Sequence, residues 1–286
     1  MKGGGRRGGL ALTALLLTGC TMWIDPFVFF PDRRVGAPPS GVEERWIVTE
    51  DGRRLHAWYV PARGAGPVLL WSHGNAGNID SRRELLLALA ARGLGVLAYD
   101  YRGYGRSDGS PSERGVYLDA TAAFDDLVAH GTDPTRVVCF GESIGGAVSI
   151  EVATRRRCGA VVAVSTFTRL ADVARRHYGP LGSIAGDRFD SLARIPRVSM
   201  PILVAHGDQD EIVPFELGER LFAAAPGPKR FVRVRGADHN DALGRAVLLD
   251  AIAEFAREAG AGLRPPGDDT RPPAPAAWRR SPPRAT

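Results

Sequence analysis

From about residue 42 onward, apolar and polar residues follow two alternating patterns. Residues 44–62 hold two stretches of alternating polarity on either side of Asp51-Gly52, a dipeptide that favours a tight turn, and therefore predict an antiparallel hairpin. After the hairpin, continuous apolar stretches alternate with amphipathic stretches of helical period. The apolar stretches, each a predicted buried strand, occupy residues 67–74, 94–103, 136–142, 159–166, 200–207 and 229–236.

The amphipathic stretches predict helices between these strands. They cover residues 79–93, 112–131, 144–157, 215–226 and 241–260. Continuous apolar strands separated by helices are typical of a mostly parallel sheet that is covered on both faces. The sequence therefore predicts an α/β fold with about eight strands over residues 42–260, with the hairpin as an antiparallel edge. Residues 167–200 break the alternation and predict one or two short helices and a loop, which is only a minimal lid.

The two ends of the chain differ from this domain. Basic residues at positions 2, 6 and 7 precede the short apolar stretch 10–18, and Leu17-Thr18-Gly19-Cys20 resembles the lipobox of bacterial lipoproteins. The resemblance implies a signal peptide over residues 1–19, a diacylglycerol on the Cys20 thiol, a tether over residues 20–41 and a lipid-anchored protein on the extracytoplasmic side of a bacterial envelope. An uncleaved anchor, or an N-terminus that matches this pattern by chance, is the alternative. Residues 261–286 are rich in Pro and Arg and predict a disordered tail.

Composition narrows the function classes. The 286 residues are 44% hydrophobic, enough for a buried core, and the net charge of +5 comes largely from the two ends. No dense run of Lys and Arg with interleaved aromatic residues is present, so the sequence does not predict nucleic-acid binding. No metal-ligand spacing, phosphate loop or dinucleotide fingerprint predicts a cofactor. Cys139 and Cys158 are interpreted as small buried residues.

The stretch VVCFGESIGG, residues 137–146, carries the main chemical signal. Gly141 and Gly145 flank Ser143 at the point where a predicted strand gives way to a predicted helix. This is the context of a nucleophile elbow, in which the glycines clear space for a sharp turn and expose one hydroxyl at the carboxyl edge of the sheet.

A serine hydroxyl needs a base, and the base needs an acid that orients it. In this type of sheet the partners follow the nucleophile in the order acid, then histidine. His239, after the last strand, is the predicted base, because it alone leaves a strand-end acid between itself and Ser143. Asp210 is the predicted acid, with Asp208 as the alternative and more readily a turn former.

The tetrahedral intermediate of acyl transfer carries an oxyanion that backbone N–H groups stabilise. The N–H of Ile144, directly after the nucleophile, is one predicted donor. The loop SHGNAGN after the third predicted strand supplies the other, for which Asn75 is the first choice and Ala76 the alternative.

Six segments together resemble the α/β-hydrolase superfamily, in particular the small-lid serine hydrolases related to the α/β-hydrolase domain-containing proteins 13 and 17 and to Bem46. They are SHGNAGNI, YDYRGYGRSDGSPSE, GESIGGAVS, RFDSLARI, PILVAHGDQDEIVP and GADHND. The resemblance implies the doubly wound fold, a triad of Ser143, Asp210 and His239, and hydrolysis of an ester, a thioester or an amide. Members of the group include protein depalmitoylases that act on palmitate, although the lipobox is a departure from them.

The predicted function is therefore that of a membrane-tethered serine hydrolase that cleaves an acyl ester or thioester through an acyl-enzyme. Its predicted partners are the acyl substrate and the lipid bilayer that Cys20 contacts, and the oligomeric state is left open. Two alternatives remain: an amidase or peptidase of the same fold, and a catalytically inactive binding lipoprotein. A dehalogenase or epoxide hydrolase is disfavoured, because these need a carboxylate where the chain has Ser143.

Overall fold

A computed structural model describes residues 24–260. The strands in this part of the chain are β1 (Phe30–Pro31), β2 (Glu43–Val48), β3 (Arg54–Val60), β4 (Val68–Ser72), β5 (Ala76–Gly77), β6 (Gly95–Tyr99), β7 (Val137–Glu142), β8 (Ala160–Val164), β9 (Ile202–Gly207) and β10 (Lys229–Val234). The α-helices are α1 (Asp25–Val28), α2 (Arg83–Ala91), α3 (Glu113–Ala129), α4 (Ile144–Arg155), α5 (Leu170–Tyr178), α6 (Ser191–Arg194), α7 (Phe215–Ala224) and α8 (Ala246–Gly260). Short 3₁₀ helices cover Asp80–Arg82, Pro134–Arg136, Gly179–Ala185, Ile195–Arg197 and Ala242–Gly244.

Eight strands form one sheet in the order β10-β9-β8-β7-β4-β6-β3-β2. The strands from β10 to β6 are parallel, and the hairpin of β2 and β3 adds an antiparallel edge next to β6. Helices α3, α4 and α7 pack on one face through residues such as Val148 and Leu221, and α2 and α8 pack on the other through Leu86 and Ile252. This arrangement confirms the predicted α/β-hydrolase fold.

The parallel strands bring distant parts of the chain to one edge. Their carboxyl ends lie together, as in other open α/β sheets, so the segments that follow β4, β7, β9 and β10 become neighbours. Residues 167–200 lie over this edge as α5, α6 and 3₁₀ turns. None of the helices in residues 24–260 combines the length and the apolar character that are needed to cross a bilayer.

The segment that precedes the domain differs from the tether that the sequence predicted over residues 20–41. Residues 24–41 pack against the domain: Val28 and Phe29 are buried, and β1 pairs in parallel with β5. The Phe30 N–H donates to the Asn75 carbonyl at 2.9 Å, and the Asp32 N–H donates to the Gly77 carbonyl at 3.1 Å. Burial of two apolar side chains together with this short ladder holds the segment in place. The predicted signal peptide, Cys20 and the C-terminal tail lie outside the described residues.

Candidate active site

The turn at Ser143 joins β7 to α4 with strained backbone. Ser143 has φ 53° and ψ −123°, a backbone conformation that non-glycine residues rarely adopt. A Cβ on Gly141 would lie 2.0 Å from the Gly145 carbonyl oxygen, and one on Gly145 would lie 1.9 Å from the carbonyl oxygen of Ser72. The strained turn is held by hydrogen bonds from the Ser143 N–H to Val164, 2.9 Å, and from the Thr166 hydroxyl to the Ser143 carbonyl, 2.7 Å.

Replacement of Gly145 by alanine is expected to disrupt this turn. The new methyl group would meet backbone of β4, which cannot move aside, so we expect Gly145→Ala to lower the free energy of unfolding by about 4 kcal/mol or more. Urea denaturation followed by circular dichroism measures the change. Gly244→Ala is the matched control, because a Cβ there meets nothing within 4 Å. Equal stability of the two variants would contradict the close packing of the elbow.

Three side chains meet above the turn. His239 Nε2 lies 3.1 Å from Ser143 Oγ, and His239 Nδ1 lies 2.7 Å from Asp210 Oδ2. With the proton on Nδ1, the imidazole donates to the carboxylate and its Nε2 faces the serine hydroxyl as an acceptor. The structure therefore brings together the three residues that the sequence predicted for a triad, in the geometry that general-base activation of a serine requires.

The carboxylate of Asp210 is held from several sides. Its Oδ1 accepts hydrogen bonds from the N–H groups of Ile212, 3.0 Å, and Val213, 2.7 Å, and its side chain is fully buried. Burial alone would raise the pKa of Asp210, yet hydrogen bonds from His206 and His239 outweigh burial and lower the pKa to about 2. Asp210 is thus ionised when it faces the imidazole.

Sequence reasoning missed the part that His206 plays here. His206 Nε2 lies 2.9 Å from the Val213 carbonyl and 3.2 Å from Asp210 Oδ2. Because a carbonyl only accepts, Nε2 carries a proton, and that proton also faces the carboxylate. The spacing of four residues between His206, at the end of β9, and Asp210 was the available signal.

The alternative acid occupies a different position. Asp208 accepts hydrogen bonds from the Gly236 N–H at 2.7 Å and from Arg233 Nε at 2.9 Å, and it thereby joins the two strand ends. The first of these bonds is the largest cause of its lowered pKa. Asp210, not Asp208, is the carboxylate that contacts His239.

The two predicted oxyanion donors lie beside Ser143. Ile144 is the first residue of α4, so its N–H has no acceptor within the helix. Asn75 is fixed by its other groups: its carbonyl accepts from Phe30 N–H, 2.9 Å, and Tyr104 Oη, 2.6 Å, and its side chain donates to the Val28 carbonyl, 3.1 Å. Among residues 24–260 the Asn75 N–H has no hydrogen-bond acceptor, which leaves it free to meet a ligand.

A charged pair that the sequence analysis did not identify supports the Asn75 loop. Glu142 Oε1 accepts from Arg82 Nε at 2.8 Å and from the Gly74 N–H at 3.2 Å, and Arg82 Nη1 donates to the Ala76 carbonyl at 2.7 Å. Both side chains are largely buried. Glu142, directly before Ser143, therefore ties the Ser143 turn to the loop that carries the second predicted oxyanion donor.

Two spaces of different character meet at Ser143. On one side lies a groove of about 790 Å³ with mostly apolar walls. Its inner walls include Val28, Ile144, Phe167, Leu170, Val173 and Val213. On the other side lies a smaller cleft of about 280 Å³ with mixed walls, in which the charged pair Arg82 and Glu142 lies near the apolar Leu85 and Leu243. An amphiphilic molecule could place its apolar part in the groove and its polar part in the cleft, with the bond between them at Ser143.

The other histidines take no part in the hydrogen bonds that join Ser143, His239 and Asp210. His73 Nδ1 bonds the Gly74 carbonyl at 2.7 Å, and burial lowers the pKa of His73 well below its usual value. His56 contacts Glu44 at 2.8 Å, and His130 is exposed at the end of α3. His177, in α5, contacts the Ile212 carbonyl at 2.8 Å and so joins the lid segment to the Asp210 loop.

Comparison with known proteins agrees with this fold. The family model of the serine aminopeptidases, S33, matches residues 65–193, which include the Ser143 turn. The solved esterase Pf2001 of Pyrococcus furiosus superposes with a TM-score of 0.65 at 21% identity, over 80% of this chain and 97% of that one, and thus shares the fold.

Two curated relatives are closer in sequence. The uncharacterized protein Rv2307c of Mycobacterium tuberculosis is 42% identical over 266 residues, which are 87% of this chain and 94% of that protein. The α/β-hydrolase domain-containing protein 17C of Xenopus laevis is 33% identical over 74% of this chain and 68% of its own length. With this degree of identity over most of each relative, and with the elbow and sheet described above, the chain is a hydrolase that belongs to the α/β-hydrolase family, in the group that contains protein 17C.

Proposed function

We propose that the protein is a serine hydrolase that cleaves an acyl ester or thioester through an acyl-enzyme and that it works at a membrane to which Cys20 tethers it. The observation that carries the hydrolytic part is the chain of contacts from Ser143 to His239 to Asp210, with Ser143 Oγ 3.1 Å from the imidazole and the imidazole 2.7 Å from the carboxylate. The tether is supported by the lipobox-like Leu17-Thr18-Gly19-Cys20.

The first half of the reaction forms the acyl-enzyme. Ser143 Oγ attacks the acyl carbon as its proton passes to His239 Nε2, and the carbonyl oxygen becomes an oxyanion near the N–H groups of Asn75 and Ile144. The carbon–heteroatom bond then breaks, and the leaving alcohol or thiol takes the proton from the imidazole. Asp210, with its pKa lowered to about 2, stays ionised throughout and stabilises the imidazolium.

The second half releases the acid. A water molecule gives its proton to His239 Nε2 and attacks the acyl carbon, and the Ser143 Oγ–acyl bond breaks with return of the proton to the serine. The groove holds the acyl chain during both halves, since its inner walls are apolar. The smaller cleft, which holds Arg82 and Glu142, accepts the leaving group on the opposite side of Ser143.

A panel of substrates tests this proposal. We expect a fluorophosphonate probe to label the wild-type protein, and we expect kcat/KM for p-nitrophenyl esters to rise from acetate toward longer chains. The rise should reach about fourfold for each methylene group that enters the groove, because burial of one methylene is worth about 0.8 kcal/mol. An acyl thioester should be cleaved as well, and the p-nitroanilide of the same acyl group much more slowly.

The outcomes separate the alternatives. Absence of both labelling and turnover would favour a binding lipoprotein with an inactive hydrolase fold. Faster cleavage of the anilide than of the ester would favour an amidase or peptidase, in keeping with the name of the matched S33 family model. A preference for acetate over every longer ester would contradict the role of the groove.

A further inference from the structure

We propose that one face of the molecule, the apolar rim of the groove, lies on the lipid bilayer, and that acyl chains enter the groove directly from the bilayer. This inference rests on the proposed tether at Cys20 and names the surface and the route that the tethered protein would use. The rim consists of Phe27, Phe30, Tyr178, Leu181, Ile184 and Ile212.

These six side chains are exposed although they are large and apolar. Phe27 is 80% exposed, Leu181 71% and Ile184 70%. Ten large apolar side chains are exposed in residues 24–260, and six of them surround the mouth of this one groove. Apolar residues scattered singly over a surface need no explanation, but a contiguous patch of this kind marks an interaction surface.

The local packing shows that the fold itself does not need these side chains. In the 3₁₀ helix Gly179–Ala185, Gly182 and Ala185 face inward and are buried, whereas Leu181 and Ile184 point outward. A Cβ on Gly182 would lie 2.2 Å from the Arg175 nitrogen, so this turn packs tightly against α5 through its small residues. The large residues of the turn are therefore presented to the outside.

The position of this face near the start of the described chain indicates that it binds the bilayer. Ile24, the first residue described, lines the groove. Cys20 is four residues upstream, and a fully extended chain spans at most about 3.6 Å per residue, so Cys20 lies within about 14 Å of Ile24. Acyl chains attached to Cys20 would therefore enter the bilayer close to the rim. A face that lies this close to its own anchor meets the bilayer before any other partner.

The groove continues from this face to the nucleophile. It runs from the rim past Phe167 and Leu170 to Ser143, His239 and Asn75. A lipid-borne acyl chain could thus leave the bilayer and reach Ser143 along apolar walls, without passing through water, while its polar end enters the cleft beside Arg82. Interfacial apolar surfaces of this type sink about 5–10 Å into the boundary between headgroups and acyl chains.

Depth-dependent quenching in vesicles tests the proposal on the full chain. Single cysteines in place of Phe27 or Ile184 are labelled with an environment-sensitive fluorophore, since Cys139 and Cys158 are buried. The labelled protein is reconstituted into vesicles of phosphatidylcholine and phosphatidylglycerol, with or without brominated acyl chains. We expect bromine to reduce the emission about twofold or more at both positions, because the rim lies at the depth of the acyl chains.

Val48→Cys and Val247→Cys are the matched controls. Both side chains are 66% exposed and lie outside the rim, so their labels should keep nearly full emission in brominated vesicles. Quenching at the rim that is no stronger than at the controls would overturn the proposal. So would disulfide cross-linking, under an added oxidant, of unlabelled rim cysteines between two copies, when the labelled rim shows no quenching.

Two further measurements on the same preparations distinguish failure of the proposed tether, of the proposed membrane-facing surface and of the proposed function. Mass spectrometry reports whether Cys20 carries lipid, and fluorophosphonate labelling reports whether the serine site is active. If Cys20 carries lipid but the rim labels are not quenched, the proposed membrane-facing surface is contradicted and the proposed tether is supported. Rim quenching in a protein that lacks fluorophosphonate labelling would support the face and contradict the proposed function.

Discussion

Replacement of Ser143 by alanine is expected to lower kcat for ester hydrolysis by about a million-fold, to a rate close to the detection limit. In a well-studied serine protease, loss of the nucleophile costs about 2 × 10⁶ in kcat, and the remaining rate comes from the oxyanion donors and binding alone. The methyl group of alanine suits the space at the turn, so the fold should be retained. The measurement is kcat with a p-nitrophenyl ester, together with a circular dichroism spectrum.

Ser149→Ala is the control for this variant. Ser149 lies in the same helix, α4, and its buried hydroxyl has no hydrogen-bond partner among residues 24–260, so its removal should leave kcat almost unchanged. If Ser143→Ala kept more than about one hundredth of the wild-type rate, attack by another nucleophile would have to be considered and the triad mechanism would fail.

Replacement of Asp210 by asparagine is expected to lower kcat by about 10⁴-fold at neutral pH. An amide in this position can donate to His239 Nδ1 and so favours the tautomer in which Nε2 carries a proton and cannot accept one from Ser143. Asp208→Asn is the matched control, because Asp208 is the other acid that the sequence allowed and it bonds Gly236 and Arg233 instead. Equal losses in the two variants would contradict the assignment of Asp210.

The pH dependence of stability gives a second measure of the same carboxylate. The pKa of Asp210 falls from its ordinary value of 3.8 to about 2 on folding, so between these values the unfolded chain binds more protons than the folded one. The stabilisation is therefore fully present above about pH 4 and is lost as the pH falls through about 2. Wild type should be more stable than Asp210→Asn at neutral pH, and denaturant midpoints should show the difference shrinking as the pH approaches 2.

Much of the fold could be predicted because its signals are local. Each buried strand of the parallel sheet is a continuous apolar stretch, and the turn at Ser143 is encoded by two glycines and the change from strand to helix within a few residues. The order of the segments, together with the rule that ligands bind at the carboxyl ends of parallel strands, is enough to predict that Ser143, Asp210 and His239 lie near one another.

The features that sequence reasoning missed depend on contacts between distant residues. Glu142 and Arg82 are 60 residues apart, and nothing in the local pattern around either one predicts their pairing. The resemblance to a lipobox implied a tether over residues 20–41, and the local pattern did not indicate that residues 24–41 pack against the domain. The position of this segment is set by a bridge of two residues to a loop some 45 residues further along the chain. Such contacts become visible only when the fold brings the partners together.

The contacts between that segment and Asn75 have a practical consequence. Val28 and Phe30 hold the side chain and the carbonyl of Asn75. A truncated protein that begins after residue 41 would lose both hydrogen bonds to Asn75. It would also lose the part of the groove wall that Ile24, Phe27, Val28 and Phe30 form. In that form the Asn75 loop would be less firmly held. A low kcat of the truncated protein would therefore not measure the activity of the intact one.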